Sequence, residues 1–244
     1  KEVLGRYAAL SDNKPFLKQD VSSYEDYIKY LQNIDLQNSR HFWKDYLGGF
    51  NGASSLDFAS GYDAHKDTNT GKIIRDISLD LSIKIQSFAK EKSVTLNILM
   101  QLAWGRILAA YSGQSDVSFG MVVSGRPENL LGVETSLGLF INTVPLRLNS
   151  HWDESVEDAL MHLQNDYAQI SENCYLSLSA VKEESELSGD MSLFDNLFIF
   201  ENYPISEELE NKKIAGLEML SVDFKDQTNY PLSLMVSSQS QVNL

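Results

Sequence analysis

The run DVSFGMVV (residues 116–123) limits the fold of this chain more than any other stretch. It is short, apolar and bounded by polar residues, so it reads as a buried strand. It ends on SGRP (124–127), which places Arg126 where the backbone turns. Gly125 beside it lets the backbone approach a neighbour closely. An arginine there is either solvated loop decoration or held for a negative partner, and no such partner stands nearby in the sequence.

Helical spacing surrounds this strand. Residues 22–47 open on SSYEDY, with Ser22 or Ser23 as N-cap and Glu25 or Asp26 complementing the positive helix end. Tyr27, Tyr30, Leu31, Ile34, Phe42, Trp43 and Leu47 follow at helical intervals, with an interruption near Asp35. A second helix is expected over 95–112, its apolar face formed by Leu96, Leu99, Met100, Ala103, Ile107 and Ala110 or Tyr111, with Gly113 as its stop. Gly105 in its middle costs about 1 kcal/mol relative to alanine, which points to close packing. A third helix is expected over 153–173 through Val156, Leu160, Leu163, Tyr167 and Ile170.

KIIRDISLDL (72–81), GLFINTVPLRL (138–148), NLFIFEN (196–202), LEMLSVDF (217–224) and YPLSLMV (230–236) read as further strands. The Gly-, Ser- and Asn-rich stretch 48–71 reads as a long surface connection. Long helices mixed with runs of strands predict an α/β (α+β layered) fold, a mixed sheet with helices packed on it. KEVLGRYAAL opens as a helix already under way and LSLMVSSQSQVNL closes as a strand begins, so a piece of a longer polypeptide is expected.

Composition narrows the function. Acidic residues number 34 against 20 basic ones, a net charge of −14 that repels phosphate backbones and anionic lipid, so neither nucleic acid nor membrane is an expected partner. No apolar run has membrane-spanning length. The one cysteine, Cys174, rules out an internal disulfide, and an intracellular chain is expected. None of the four histidines (His41, His65, His151, His162) forms an HExxH or stands at zinc-ligand spacing with Cys174, so no metal site is expected. GxSxG, GxGxxG and GxxxxGK[ST] are also missing, and Cys174 reads as a packing or exposed thiol.

Four stretches nonetheless stand out. VVSGRP carries Arg126. LGLFINTVPLRL sets Asn142 and Thr143 in an apolar strand, where a polar side chain must find a buried partner or face a cavity. LFDNLFIFENYP and NYPLSL each join a strand to an Asn-Tyr-Pro turn, best read as structural.

YEDYIKYL (24–31), DVSFGMVVSGRP (116–127), LGLFINTVPLRL (137–148) and LFDNLFIFENYP (193–204) occur in the order and spacing that resembles the condensation domain of nonribosomal peptide synthetases. The likeness runs from Lys1 to Leu244. It implies the fold of chloramphenicol acetyltransferase, two similar α/β halves meeting at a cleft. This chain would be an incomplete C-terminal half, starting just after the family's HHxxxDG motif.

The resemblance further implies amide-bond formation between an acyl or peptidyl thioester and the amine of an aminoacyl thioester. Both substrates ride on phosphopantetheine arms of upstream and downstream peptidyl-carrier domains, with no cofactor bound directly. The other expected partners are the N-terminal half and an adjacent adenylation domain, in the cytoplasm. In the family the second histidine of HHxxxDG positions or deprotonates the amine, so no catalytic residue is expected in 1–244. The aspartate of that motif pairs with an arginine, which Arg126 matches as structural support of the catalytic loop. Ser124, Gly125, Asn142 and Thr143 are cleft-lining candidates, joined by a loop (127–138) crossing beneath the cleft. FINT argues against the epimerization type. A non-catalytic scaffold docking carrier proteins and a stand-alone acyltransferase using coenzyme A are the competing readings. A half-domain should also expose the face meant for its partner.

Overall fold

The computed structural model describes residues 2–16, 22–53, 71–149, 153–201, 228–238 and 242–244. Helix α1 (Glu2–Ser11) is followed by α2 (Tyr24–Asn33) and α3 (Leu36–Tyr46). The expected interruption falls at Asp35, whose carboxylate accepts from the Gln37 N–H as the N-cap of α3. Ser23 caps α2 in the same way through Glu25 N.

Helices α4 (Leu79–Glu91) and α5 (Leu96–Ser112) lead into β1 (Asp116–Val123). β2 (Asn142–Asn149), α6 (Val156–Glu172), α7 (Leu178–Glu184), β3 (Asn196–Glu201), β4 (Leu232–Ser238) and β5 (Val242–Asn243) complete the order. The strands form one mixed sheet, β2-β1-β3-β4-β5, with β1, β3 and β4 mutually parallel and each edge strand antiparallel to its neighbour.

Residues 117–121 of β1 are buried without a break, so both faces of this strand are covered. On one face Phe119 meets Phe198, and Met121 meets Gln101 of α5 at 3.1 Å. On the other, the Ser118 hydroxyl donates to the Leu193 carbonyl, and Phe194 and Leu197 crowd the space a side chain at Gly120 would occupy. Gly105 of α5 packs as expected: a Cβ there would stand 2.5 Å from Leu148 Cδ2 of β2.

Three expectations need correction. The buried face of α5 carries Ile98, Gln101, Leu102, Trp104, Gly105, Leu108 and Ala109, while Ile107 and Tyr111 are exposed. Of the expected face, Leu96, Leu99 and Met100 are half-buried against the core, while Ala103, Ile107, Ala110 and Tyr111 point outward. The buried face was disguised by its polar members: Gln101 donates to Asn97 Oδ1 (3.1 Å), and the Trp104 indole donates to Asn196 Oδ1 (3.0 Å).

Second, KIIRDISLDL is strand-like only over residues 75–77, and its last residues are helical. Arg75 and Leu244 exchange backbone hydrogen bonds at 2.9 Å and Ile77 N donates to the Val242 carbonyl at 3.0 Å, around a bridge from Asp76 to Asn243; Ser78 then caps α4 through Leu81 N. The Asp80–Lys84 pair one turn apart supports the helix at 2.7 Å. Its alternating pattern leaves Leu79, Leu81 and Ile83 exposed. Third, β2 starts at Asn142, so residues 138–141 precede the strand.

The third helix forms as α6, although Val156 is exposed. The Asn-Tyr-Pro turn at 229–231 packs Tyr230 on Phe194 at 5.3 Å. LEMLSVDF, the first Asn-Tyr-Pro turn, His65 and His151 lie outside the described residues.

Candidate functional site at the carboxyl end of β1

The register of the β1–β2 hairpin assembles the site. Val123 stands opposite Asn142 and Val122 opposite Thr143, so Ser124, Gly125 and Arg126 leave β1 just where Asn142 and Thr143 enter β2. The carboxyl ends of parallel strands are where open α/β sheets place their ligands. Ser124 is exposed, Gly125 buried, and Asn142 and Thr143 half-buried.

Gly125 has φ +58°, and a Cβ there would collide with the Phe140 carbonyl oxygen, so both its conformation and its space demand glycine. Asn142 has found buried partners. Its Nδ2 donates to the carbonyls of Cys174 (2.7 Å) and Leu176 (2.8 Å), and its Oδ1 accepts from Thr143 N (2.9 Å). It thereby ties the start of β2 to the turn between α6 and α7. Cys174 is buried, and burial pushes its thiol up.

Arg126 is held by backbone oxygens and an aromatic face of the loop that follows it. Its Nη1 donates to the Val133 carbonyl, both terminal nitrogens reach the Ser136 carbonyl at 3.2 Å, and the guanidinium lies 3.8 Å over the Phe140 ring. These partners sit seven to fourteen residues along the chain, and two of them are backbone oxygens that a search for acidic side chains passes over. The arginine is thus an internal strut of the loop 127–141.

A second, smaller core backs the loop. Tyr27, Val133 and Phe140 are buried together, with Tyr24, Tyr30, Leu31 and Leu130 against them. Burial pushes the Tyr27 phenol up, Tyr24 adds to this, and Arg126 opposes it. The sequence reading missed the tyrosines of α2 as part of the site; the signal was present in YEDYIKYL but not its destination. Outward, the loop presents Leu131, Leu137 and Leu139, which are 93%, 79% and 75% exposed.

The histidines that the structure describes stand elsewhere. His41 on α3 faces Asp45 at 3.7 Å, and His162 on α6 faces Glu154 at 2.8 Å. Among the described residues no group of three or more His, Cys, Asp or Glu could hold a metal ion. No described helix is long and apolar enough to cross a membrane. What this end of the sheet offers is a braced loop, a fixed cation, hydroxyls and an apolar rim.

The chain belongs to the condensation-domain family, whose model matches residues 1–243. It is 35% identical over 244 residues to bacitracin synthase 3 of Bacillus licheniformis, covering 100% of this chain and 4% of that protein. Among solved structures it is similar to the X-domain from teicoplanin biosynthesis, with TM-score 0.80, 13% identity, and coverage of 99% of this chain and 57% of that one. The first condensation domain of the calcium-dependent antibiotic synthetase, solved with a substrate analogue, gives TM-score 0.67 and 12% identity, covering 99% of this chain and 54% of the other. The mixed sheet with packed helices is accordingly that of the chloramphenicol-acetyltransferase-like condensation domains. The chain spans a small fraction of the synthetase it matches, and little more than half of each solved chain.

Proposed function

We propose that this chain is the second half of a condensation domain that forms an amide bond between two carrier-bound thioesters. The amine of the downstream aminoacyl thioester attacks the carbonyl carbon of the upstream acyl or peptidyl thioester. A C–N bond forms, the C–S bond breaks, and the amine proton is passed on as the donor arm leaves as a thiol. Both arms are phosphopantetheine groups of peptidyl-carrier domains, with an adenylation domain as a further neighbour. The sequence 1–244 contains no HHxxxDG, so the group that handles the amine proton comes from the other half.

The observation that carries this reading is the hairpin register, which unites Ser124–Arg126 with Asn142–Thr143 under one braced loop. In this reading Ser124, Gly125, Asn142 and Thr143 line the cleft, and Arg126 keeps its floor in place. The surface fits a half that expects a partner: Leu131, Leu137 and Leu139 of the loop are exposed.

The test is a condensation assay on the domain formed with the HHxxxDG-bearing half, using aminoacyl-loaded carriers on both sides. Arg126→Ala should lower turnover by about tenfold or more, because a misplaced floor misaligns the reacting atoms. Unchanged turnover would remove Arg126 from this role. Equal use of coenzyme A thioesters as donors would favour a stand-alone acyltransferase instead.

A further inference from the structure

The stretch from Leu137 to Ile141 precedes β2, bends at Gly138 and has two sides. Leu137, Leu139 and Ile141 are exposed, while Phe140 turns inward and is buried. The segment thus shows an outer apolar strip and one inward side chain, Phe140, that something must seat.

Arg126 seats one part of it. Tyr24, at the start of α2 and more than a hundred residues upstream, seats the other. Its hydroxyl donates to the Leu139 carbonyl at 2.7 Å. Its ring meets Phe140 edge-on, with centroids 5.2 Å apart and planes at 88°. The same ring fills the space beside Gly138, where any Cβ would overlap Cδ2 and Cε2. Three consecutive residues, Gly138, Leu139 and Phe140, thus rest on one side chain. Ser22 makes a similar contact earlier in the loop, donating to the Leu131 carbonyl at 3.3 Å.

We propose that Tyr24 is a positioning residue for condensation: it sets how far the 137–141 strip stands above the carboxyl end of β1. This rests on the reading of the loop as the cleft floor. Arg126 braces the loop from within, whereas Tyr24 fixes it to a separate helix. A loop held by Arg126 alone would keep its shape and lose its address.

The first measurement is hydrogen exchange on the 1–244 chain. Tyr24→Phe keeps the ring and deletes the donor. Peptides covering 130–144 should then exchange about fivefold faster, the equivalent of one ordinary hydrogen bond, with peptides from α5 and α6 unchanged. Gly138→Ala should loosen the same peptides by pressing on the ring, and should add nothing further once Tyr24→Ala has removed it. Wild-type exchange in Tyr24→Phe, or an equal effect of Gly138→Ala with and without the ring, would overturn the proposal.

The second measurement is kinetic, in the domain completed with its other half. Tyr24→Phe should lower kcat by about tenfold with the KM for each loaded carrier unchanged, the mark of misalignment after binding. A raised KM at unchanged kcat would make Tyr24 a docking residue and sink the positioning role. If the completed wild-type domain forms no amide, the functional reading fails, while the exchange data still judge the clamp.

Discussion

Arg126 and Asp166 show how differently a charged side chain can be accommodated in this protein. Arg126 spends its donors on carbonyls and its face on Phe140, which suits a planar cation that is weakly hydrated. Asp166 on α6 is half-buried, and burial pushes its carboxyl up, partly opposed by His162 one turn earlier. Its folded-state pKa therefore lies above the unfolded value, so the native chain holds this proton to higher pH. Stability must fall as pH rises from the ordinary aspartate range, about 3.9, through the raised value. Asp166→Asn, which cannot ionise, should melt higher than wild type at neutral pH, with the gap closing as the pH drops toward that range. Thermal melts between acid and neutral pH check this, and a constant gap would contradict it. Residue types were legible in the sequence. The partners of Arg126 were not, because backbone oxygens leave no letter.

Among the elements, α5 teaches most. Its start, its end and its central glycine were all readable: Thr95 caps it through Ile98 N, Gly113 ends it in the left-handed conformation, and Gly105 meets Leu148. Its buried side was not, because the helix is apolar almost all round, and such a helix gives periodicity little to choose between. The hydrogen bonds of Gln101 and Trp104 decide the matter, and these depend on Asn97 of the same helix and on Asn196 of β3. Gly105→Ala separates two opposed effects. Helix propensity alone would favour alanine by about 1 kcal/mol. Overpacking against Leu148 costs about 1–3 kcal/mol, so a net loss of stability is expected in urea unfolding. A net gain would mean that Leu148 moves aside freely. The strand pattern of 72–81 holds only as far as Ile77, for a related reason: apolar residues at every second position are compatible with a helix when its outer face is left apolar, as Leu81 and Ile83 show.

For the whole molecule, order along the chain and order in space diverge at the site. Residues 24–27, 124–126 and 138–143 meet only because β1 and β2 pair in a fixed register and α2 lies against their connecting loop. The likeness in the four motifs pointed to the family, and both strands could be read as strands, but not their pairing. The seating of α2 on the loop could not, since it depends on tertiary contacts more than a hundred residues apart. Catalysis is expected to be a property of two halves. Purified 1–244 should yield no amide product from loaded carriers by mass spectrometry, and product from the chain alone would refute the division of roles.

Tyr46 carries a consequence for how such a chain behaves in a crowded solution. Its hydroxyl donates to the Arg147 carbonyl at 3.2 Å and accepts from the Arg147 N–H at 2.9 Å, on the free side of β2. A strand at the rim of a sheet is an open template on which a foreign chain can lay itself. Here one phenol occupies the donor and the acceptor that an invading strand would need first. The β1–β2 hairpin is thereby guarded against recruitment into cross-chain assembly from its β2 side.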